Sequence, residues 1–482
     1  MVTMEGTLAA VSGISNVGRH PPITVLLMEL FKIAMPMSIS QIAQFSFMVV
    51  MLICAGHIGV HELGAVSIAL GILNATGFAF GSGLCGALET LLSQSYGQNP
   101  RSTMYGVYAQ RMFFILMVFV VPLSVFLLFV EGMLNALGEP PDVAVRAGHF
   151  CHIAIFGLPF FMVLELLRRY YASQHQSNPV FVTLLAAALV NPIVEGVLVY
   201  IFGYTGIALG WVFVMLGMDI ALVCFLKWSG LHTRTWGGWS SAAFRNWYPM
   251  LKLAIPSLGM AFSEWTAMEV NSLCAGLLST EELGAYAVTS QIANLCWSVV
   301  SGLFIAATVL VGNSLGAGNP DLGKQYALLS SVLVLVVSLL NAAVVYKFRD
   351  RIPRIFTHED GISKHFSDMV PYFLTFHVLD AVQSNFLAIL RGCGLQLVGV
   401  AIVFVCLTII GTPLGIYLAF TRHYGVVGLW VGPVASCAAF GIPAYLYVLF
   451  CRIDWASLRP HLEECEMKKF VEVTLVDEDE LT

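Results

Sequence analysis

Charged residues are scarce in this sequence. Asp, Glu, Lys and Arg make up 11% of its 482 residues, against about 25% in an ordinary soluble domain. Hydrophobic residues make up 58%, and the mean hydropathy is +0.82. So few ionisable side chains cannot coat the surface of a water-soluble fold of this size. The chain is therefore predicted to be an integral membrane protein with no room for a sizeable soluble catalytic domain.

The sequence also lacks the patterns that mark several other classes of protein. Its 23 Lys and Arg residues against 29 Asp and Glu give a net charge of −6, so nucleic acid is not an expected partner. The 11 cysteines occur singly, without a Cys-x-x-Cys pair. This usage predicts neither a metal site nor a disulfide framework, and no cofactor is expected.

Long apolar segments recur twelve times, separated by turn-rich stretches. Each is long enough for a membrane-spanning helix, and none shows the alternation of a barrel strand. The first is interpreted as a retained helix, because no small-residue cleavage site follows it. The predicted segments are 26–55, 63–90, 106–130, 147–167, 179–202, 205–227, 249–278, 283–311, 326–346, 369–390, 397–420 and 426–450.

These segments predict five parts of the chain: an N-terminal tail (1–25), an N-lobe (26–228), an inter-lobe loop (229–248), a C-lobe (249–452) and an acidic C-terminal tail (453–482). An N-terminus in the cytoplasm puts about 16 of the 23 Lys and Arg residues on the cytoplasmic side. Both termini are therefore predicted to be cytoplasmic, in the plasma membrane or the membrane of an acidic organelle. No feature indicates oligomerisation, and a monomer is expected.

The two lobes are predicted to be an internal repeat. Residues 30–74 overlie residues 250–294 at a constant offset, with roughly 14 identities in 45 positions. Lys32-Ile-Ala-Met-Pro36, for example, matches Lys252-Leu-Ala-Ile-Pro256. Because six segments separate the copies, the lobes share one topology and are related by a pseudo-two-fold axis along the membrane normal. Such parallel repeats are typical of transporters with a midplane cavity between two rocking lobes.

Three acidic residues are predicted at membrane depth in the C-lobe, namely Glu264 and Glu269 in the seventh segment and Asp380 in the tenth. Glu264 should lie about 12 Å along the helix from Pro256, and about 140° around it from Glu269. A carboxylate there is costly unless it faces a polar cavity or holds a proton. The three are candidates for cation coupling and substrate binding, and the alternative is a hydrogen-bonded structural role.

Further residues are assigned to the substrate cavity or to its movement. The aromatic residues among them either pack in the core or form a wall for a cationic ligand. Pro256 lacks a backbone donor and is predicted to be a hinge. The cavity candidates are Gln291, Tyr286, Trp265, His377, Asn385 and Gln44, the last being the repeat equivalent of Glu264.

Acidic residues also occur in the N-lobe. Glu195 and Asp219 form either a second site or polar bonds between helices, and the sequence does not decide between them. Glu165 precedes Arg168 and Arg169 near the predicted end of a helix. This arrangement predicts an ion pair that reaches towards the membrane surface.

Several motifs resemble those of the eukaryotic branch of the multidrug and toxic compound extrusion (MATE) family, over about residues 26–452. The matching stretches are Gly56-His-Ile-Gly59, Ala87 through Gly97, Glu264-Trp265 through Glu269, Val311 through Pro320 and Leu390-Arg-Gly-Cys-Gly394. The resemblance implies twelve helices in two six-helix lobes that form a V open to one face.

The resemblance also implies export of organic solutes, cationic or amphiphilic, coupled to inward proton flow through Glu264, Glu269 and Asp380. Protons are preferred to sodium as the coupling ion. The helix-one aspartate that the prokaryotic sodium- and proton-coupled branch uses is missing here, since Gln41 and Gln44 are uncharged, so coupling through the N-lobe is not expected. Gln291 stands where animal relatives of the family carry a further glutamate.

Two alternatives from the sequence stay open. A lipid or lipid-linked-sugar flippase would need several Arg or Lys residues in its cavity, and Arg391 is the main basic residue near the C-lobe core. A membrane-embedded enzyme would need a nucleophile and a base, for which His377 and Asp380 are the single candidate pair. The protein is not expected to be an enzyme.

Overall fold

A computed structural model describes residues 21–356, 360–458 and 460–461, and within these ranges the regular structure is helical. Most of both predicted tails lies outside the described residues. The long helices are α1 (Ile23–Ile58), α2 (Val60–Gln98), α3 (Met104–Leu128), α4 (Pro141–Ala172), α5 (Ser177–Phe202), α6 (Thr205–Trp228), α7 (Trp247–Gly276), α8 (Thr280–Gly316), α9 (Pro320–Phe348), α10 (Asp360–Gly392), α11 (Gln396–Thr421) and α12 (Val426–Arg452).

The twelve predicted segments are thus confirmed as helices. In the described part of the chain, 11 of them are long and apolar enough to cross a membrane on those grounds alone. The remaining helix, α7, has the length to span at 30 residues, but it carries Lys252, Glu264 and Glu269. The least apolar helix is therefore the one that holds two of the predicted coupling residues.

Local signals fix where several helices begin and end. Ser279 caps α8 by accepting a hydrogen bond from the Glu282 backbone N–H at 3.1 Å, while its own hydroxyl donates to the Glu282 carboxylate at 3.0 Å. Asn319 caps α9 through the Leu322 N–H at 3.1 Å, and Pro320 follows at the first helical position. Gly203 ends α5 with a φ of +60°, a conformation that glycine adopts without strain.

The lobes α1–α6 and α7–α12 meet along a seam in which α1 packs on α8 and α2 packs on α7. Glycines allow the close approach. A Cβ atom on Gly302 of α8 would collide with the backbone of α1 at Ala34, and a Cβ on Gly83 of α2 would lie 2.8 Å from the Cα of Leu258 in α7. Gly83 and Gly302 occupy equivalent positions in the repeat, so the seam has the predicted pseudo-two-fold symmetry.

One end of the seam is tightly closed. A Cβ atom on Gly97 of α2 would collide with the Asn313 carbonyl of α8, and a Cβ atom on Gly316 of α8 would collide with the Gln94 carbonyl of α2. These two contacts are equivalent in the repeat. This end carries the connections 99–103, 173–176, 229–246, 317–319 and 393–395. The inter-lobe hydrogen bonds of the described residues lie between this end and the middle of the helices, as in Ser38 Oγ donating to Val299 O at 2.7 Å. The lobes therefore form a V that opens towards the opposite end.

Segments outside the spanning helices pack on the closed end. The connection 229–246 is fixed to α3, because Gln110 donates to Gly238 O at 2.8 Å and accepts from the Ser240 N–H at 2.9 Å. The chain that follows α12 returns to the seam, where the His461 N–H donates to Gln94 Oε1 at 2.6 Å.

Candidate functional site: a carboxyl pair in the C-lobe

Glu264 of α7 and Asp380 of α10 lie close enough to interact electrostatically. Both side chains are half-buried. Neither carboxyl group forms a hydrogen bond or an ion pair with a described residue, so the like charges are left to face each other across the C-lobe. The structure thus brings together two of the three acids that the sequence singled out, and this carboxyl pair forms the centre of the candidate site.

The packing of α7 explains the position of the pair. Pro256 interrupts the backbone hydrogen bonds of α7, and the next residues are held by the N-lobe: a Cβ on Gly86 would lie 3.0 Å from the side chain of Ser257. Glu264 stands two turns further along the helix. Tyr445 of α12 is a third titratable neighbour of the pair, but its hydroxyl donates to the Gly399 carbonyl at 3.2 Å.

Several buried polar groups on the helices that carry the pair lack protein partners. Gln383, one turn after Asp380, is fully buried, and both of its amide atoms lack a hydrogen bond to a described residue. Ser384 Oγ and Asn271 Oδ1 are in the same state. Buried polar groups are ordinarily satisfied, so Gln383 marks a place beside Asp380 that water or a polar ligand would complete.

Glu269 is separate from the carboxyl pair. Its side chain is exposed, and its electrostatic neighbour is Tyr286 of α8. Tyr286 itself is 2% exposed and stacks on Trp430, with ring centroids 5.4 Å apart. Tyr286 therefore packs within an aromatic cluster of the C-lobe core, and its ring does not face the cleft in this structure.

The other cavity candidates divide by exposure. Gln291 is exposed and Trp265 is 38% exposed, so neither side chain is enclosed by the protein. His377 is buried and approaches Asn341 at 3.5 Å instead of bonding to Asp380. Asn385 is fully buried and donates to Ser331 Oγ of α9 at 3.0 Å.

Gln44 belongs to a buried ionic network in the N-lobe. Arg168 of α4 donates to Glu165 at 2.8 Å, to Gln44 at 2.7 Å and to Gln41 at 2.6 Å, and Arg169 also pairs with Glu165. The predicted ion pair is confirmed, but its predicted direction towards the membrane surface is wrong, since the Glu165 and Arg168 side chains are 4% and 5% exposed. The glutamines of α1 supply acceptors inside the lobe, so the charges do not need to reach water.

Glu195 and Asp219 are buried, and their carboxyl oxygens have no hydrogen-bond partner among the described residues. Asn191, one turn before Glu195 on α5, likewise has an amide nitrogen without a partner. The structure does not show the polar bond between helices that was one of the two interpretations. A second site in the N-lobe stays a prediction.

Glu89 is a functional candidate that the sequence reasoning missed. It lies in α2 with its side chain 3% exposed, and it faces Arg391 of α10 across the seam at 3.5 Å. Thr90 and Gln94 add hydrogen bonds to the carbonyl groups of Arg391 and Gly392, at 2.7 and 3.0 Å. The available signal was an acidic residue inside a predicted apolar segment, but Glu89 stands at the end of segment 63–90, whereas Glu264 lies deep in segment 249–278.

The described residues contain no cluster of three or more His, Cys, Asp or Glu side chains with the arrangement of a metal site. The side chains that could bind a substrate are therefore the carboxyl pair and its polar and aromatic neighbours. Such a site is suited to a cation held by charge and by an aromatic face.

Two repeat-related lobes of six helices, with a cleft between them and an unneutralised acidic pair in one lobe, define a membrane transporter. A comparison with family sequence models identifies the family of this transporter. The MatE model matches residues 36–197 and again residues 256–417, which is the spacing of the repeat. The chain belongs to the MATE family of multidrug and toxin extrusion transporters.

Curated relatives and solved structures agree with this assignment. The chain is 33% identical over 431 residues to multidrug and toxin extrusion protein 1 of Danio rerio, covering 89% of this chain and 72% of the relative. It is 34% identical over 436 residues to multidrug and toxin extrusion protein 2 of Mus musculus, covering 89% and 75%.

Among solved structures, the eukaryotic MATE transporter AtDTX14 superposes with a TM-score of 0.85 at 24% identity, covering 93% of this chain and 99% of that one. An outward-facing MATE family transporter of the MOP superfamily gives a TM-score of 0.78 at 17% identity, covering 89% of this chain and 96% of that one. These likenesses confirm the predicted fold, in which two six-helix lobes form a V.

Proposed function

We propose that this chain exports small organic cations or cationic amphiphiles in exchange for protons, with Glu264 and Asp380 as the exchange site. The observation that supports the proposal is that this pair has no counter-ion in contact. Two neighbouring carboxylates in a poorly solvated site repel each other and require a positive charge from outside. A proton and a cationic substrate both supply one, so each weakens the binding of the other.

The direction of exchange follows from the topology expected for this chain. With the N-terminus in the cytoplasm, the closed end of the seam is cytoplasmic and the V opens outward. In this state a proton from the outer side neutralises the pair and releases the substrate. When the lobes rock and the cleft faces the cytoplasm, the pair loses its proton and attracts the next cation. Pro256 is the hinge at which α7 would bend.

The driving force is sufficient for efflux. One proton moving down one pH unit supplies about 1.4 kcal/mol, and a membrane potential of about 100 mV adds about 2.3 kcal/mol for each charge moved. A neutral substrate could thus be concentrated several hundred-fold, whereas a monovalent cation exchanged for one proton moves no net charge and gains only the pH term, which is about tenfold for each pH unit.

The flippase alternative gains no support from the site. It requires unpaired cations that would hold a phosphate group, whereas Arg168 and Arg169 pair with Glu165 and Arg391 faces Glu89. The relatives are named for the extrusion of drugs and toxins, which favours a solute exporter.

The test is proton-driven uptake of a fluorescent organic cation into proteoliposomes. We expect Glu264→Gln and Asp380→Asn each to lower the initial rate at least about tenfold, as for loss of a group that binds the transported charge. Glu139→Gln, which neutralises an exposed acid in the connection after α3, is the matched control and should transport as the wild type does. Unchanged proton-driven uptake in both site variants would falsify the proposal.

A further inference from the structure

The chain that follows α12 is attached to the C-lobe before it reaches the seam. Asp454 caps a single turn by accepting a hydrogen bond from the Ala456 N–H at 3.2 Å. Trp455 in that turn is 6% exposed, and its indole N–H donates to the Leu449 carbonyl of α12 at 3.0 Å. The same ring lies beside Gly323, near the start of α9. The segment is therefore held against two helices of the C-lobe.

Six residues after Trp455, the segment bonds to the N-lobe. The His461 backbone N–H donates to Gln94 Oε1 of α2 at 2.6 Å. The Gln94 amide also donates to the Gly392 carbonyl at the end of α10, at 3.0 Å. Gln94 is fully buried. Both polar atoms of this N-lobe side chain are therefore bonded to the C-lobe, and one of the two bonds comes from the segment after α12.

The two lobes differ in the connection that follows their fourth helix. His175 lies in the N-lobe connection and Gly394 in the C-lobe connection, with φ values of +58° and +77°. In both, the N–H donates to the carbonyl three residues earlier at 3.0 Å, and the next N–H donates to the carbonyl five residues earlier. The two positions are therefore equivalent in the repeat, but the C-lobe position has no side chain.

The segment after α12 supplies an imidazole at the C-lobe position. A Cβ atom on Gly394 would collide with Cδ2 of His461, so the His461 ring lies directly on this glycine. In the N-lobe, the His175 ring meets the amide of Asn313, the repeat equivalent of Gln94, at 2.5 Å. Each half of the seam thus has a histidine beside its amide residue, although the second histidine comes from a distant part of the chain.

We propose that residues 454–458 and 460–461 form a strap that stabilises the closed seam. Opening of this end moves Gln94 away from the C-lobe, while Trp455 keeps the strap on the C-lobe. The bond of His461 to Gln94 is therefore lost when the lobes separate and is formed again when they close. No residue of the exchange site takes part, so the strap goes beyond the proposed function and is tested without it.

The strap affects the balance between the two states of the transporter. With the topology expected for this chain, it lies on the cytoplasmic face, so a bound strap favours the outward-open state. Its release raises the fraction of carriers that accept substrate from the cytoplasm. A modification or a partner that displaces His461 would therefore change this balance without contact with the substrate.

The experiment measures the seam with spin labels on non-canonical amino acids at Arg101 and Lys324, which are exposed residues of opposite lobes near the closed end. Pulsed electron resonance gives the ratio of open to closed seam at one pH, without added substrate. His461→Pro removes the N–H that binds Gln94, and we expect this ratio to rise at least about fivefold, as for loss of one buried hydrogen bond. His461→Ala keeps the N–H but loses the ring, so its ratio should rise by less.

Ser457→Ala is the matched control, because this exposed side chain donates to the Asp454 carbonyl within the same turn, at 2.9 Å. Its ratio should equal that of the parent protein. An unchanged ratio in both His461 variants would overturn the strap, and so would an equal rise in Ser457→Ala.

Hydrogen exchange gives a second measurement that needs no substitution in the strap. Gly97→Ala places a methyl group against the Asn313 carbonyl and disfavours the closed seam. Because the strap bonds to the N-lobe in the closed state, the His461 amide should exchange faster in this variant than in the parent protein. Equal exchange in the two proteins would overturn the proposal, and this measurement decides the question should His461→Pro fail to fold.

Discussion

Two equivalent regions of the lobes, around Gln44 in α1 and around Glu264 in α7, treat charge in opposite ways. In the N-lobe, Glu165 is enclosed by two arginines, and the amide of Gln44 completes the bonding of Arg168. In the C-lobe, the position equivalent to Gln44 holds Glu264, whose acidic neighbour Asp380 adds to its charge instead of cancelling it. The same helical scaffold thus carries a neutralised network on one side and an unneutralised pair on the other.

This difference distinguishes a network that stabilises the fold from a site that binds a ligand. A buried ion pair whose hydrogen bonds are complete is costly to break, because the remaining charge has no partner. A buried pair of like charges has the opposite property, since it is relieved by any cation that enters. The Glu165 network of the N-lobe is therefore expected to serve stability, and the carboxyl pair of the C-lobe is expected to serve binding.

The largest effect should come from breaking the N-lobe network. Glu165→Gln leaves Arg168 and Arg169 without their shared counter-ion and should lower the free energy of unfolding by about 3–5 kcal/mol. Equilibrium unfolding in detergent measures this loss. Glu62→Gln is the control: its pair with Arg146 spans 2.9 Å, but the arginine side chain is 37% exposed, so the loss should stay below about 1 kcal/mol. Equal losses would mean that burial does not distinguish the two pairs.

The glycine contacts at the closed end test whether the two lobes are equivalent there. Gly97→Ala and Gly316→Ala each place a methyl group against the backbone of the opposite lobe, and both should disfavour the closed seam by about 1–3 kcal/mol. The shift is measured as the distance between spin labels at Arg101 and Lys324, which are exposed residues of opposite lobes near the closed end. Gly196→Ala, in α5 with open space around it, should leave that distance unchanged. If Gly97→Ala alone opened the seam, the contacts would not be equivalent.

The C-lobe acids should respond in the opposite sense to Glu165. Glu264→Gln and Asp380→Asn each remove one of two unpaired like charges, so the free energy of unfolding should stay constant or rise by about 1 kcal/mol. The measurement is the same unfolding experiment, run beside Glu165→Gln. A loss as large as that of Glu165→Gln would show that the acids hold helices together and would support the structural interpretation.

Sequence patterns predict the fold of this protein because long apolar segments and a repeat are strong, local signals. The existence and order of the twelve helices and the symmetry of the lobes follow from hydropathy and self-comparison, although some helices, such as Val60–Gln98, extend well beyond their predicted segments. The depth of Glu264 and Asp380 in their helices follows from the same patterns, but their proximity does not.

The partners of polar residues do not follow from such patterns. Nothing near Gln44 in the sequence indicates that Arg168 binds it, because the two residues lie 124 positions apart. Similarly, the contact of Glu89 with Arg391 depends on how the lobes close, and Asn385 turns to α9 although its position on α10 resembles that of a cavity residue. Such partners depend on helix rotation and on packing between distant segments.

The smallest expected effect is a pH response at the seam through His175, which belongs to the N-lobe. Gln94 and Asn313 are equivalent residues of the repeat, but Gln94 meets backbone groups at Gly392 and His461, whereas Asn313 meets the ring of His175. Much of His175 is exposed, yet its Nε2 turns into the seam, where desolvation and the nearby Lys32 ammonium lower its pKa to about 4.

The closed seam therefore binds fewer protons than an open seam, in which the His175 pKa returns to its ordinary value of about 6.5. This contribution to closure is complete above about pH 6.5 and is lost as the pH falls towards 4. Because the residue is largely exposed, the effect should stay below about 1 kcal/mol. A background of Glu264→Gln and Asp380→Asn removes the titration of the carboxyl pair. In this background the distance between the spin labels at Arg101 and Lys324 should still increase slightly on acidification, and His175→Gln should remove that response. An unchanged response in His175→Gln would assign it to another group and leave the two halves of the seam alike in their dependence on pH.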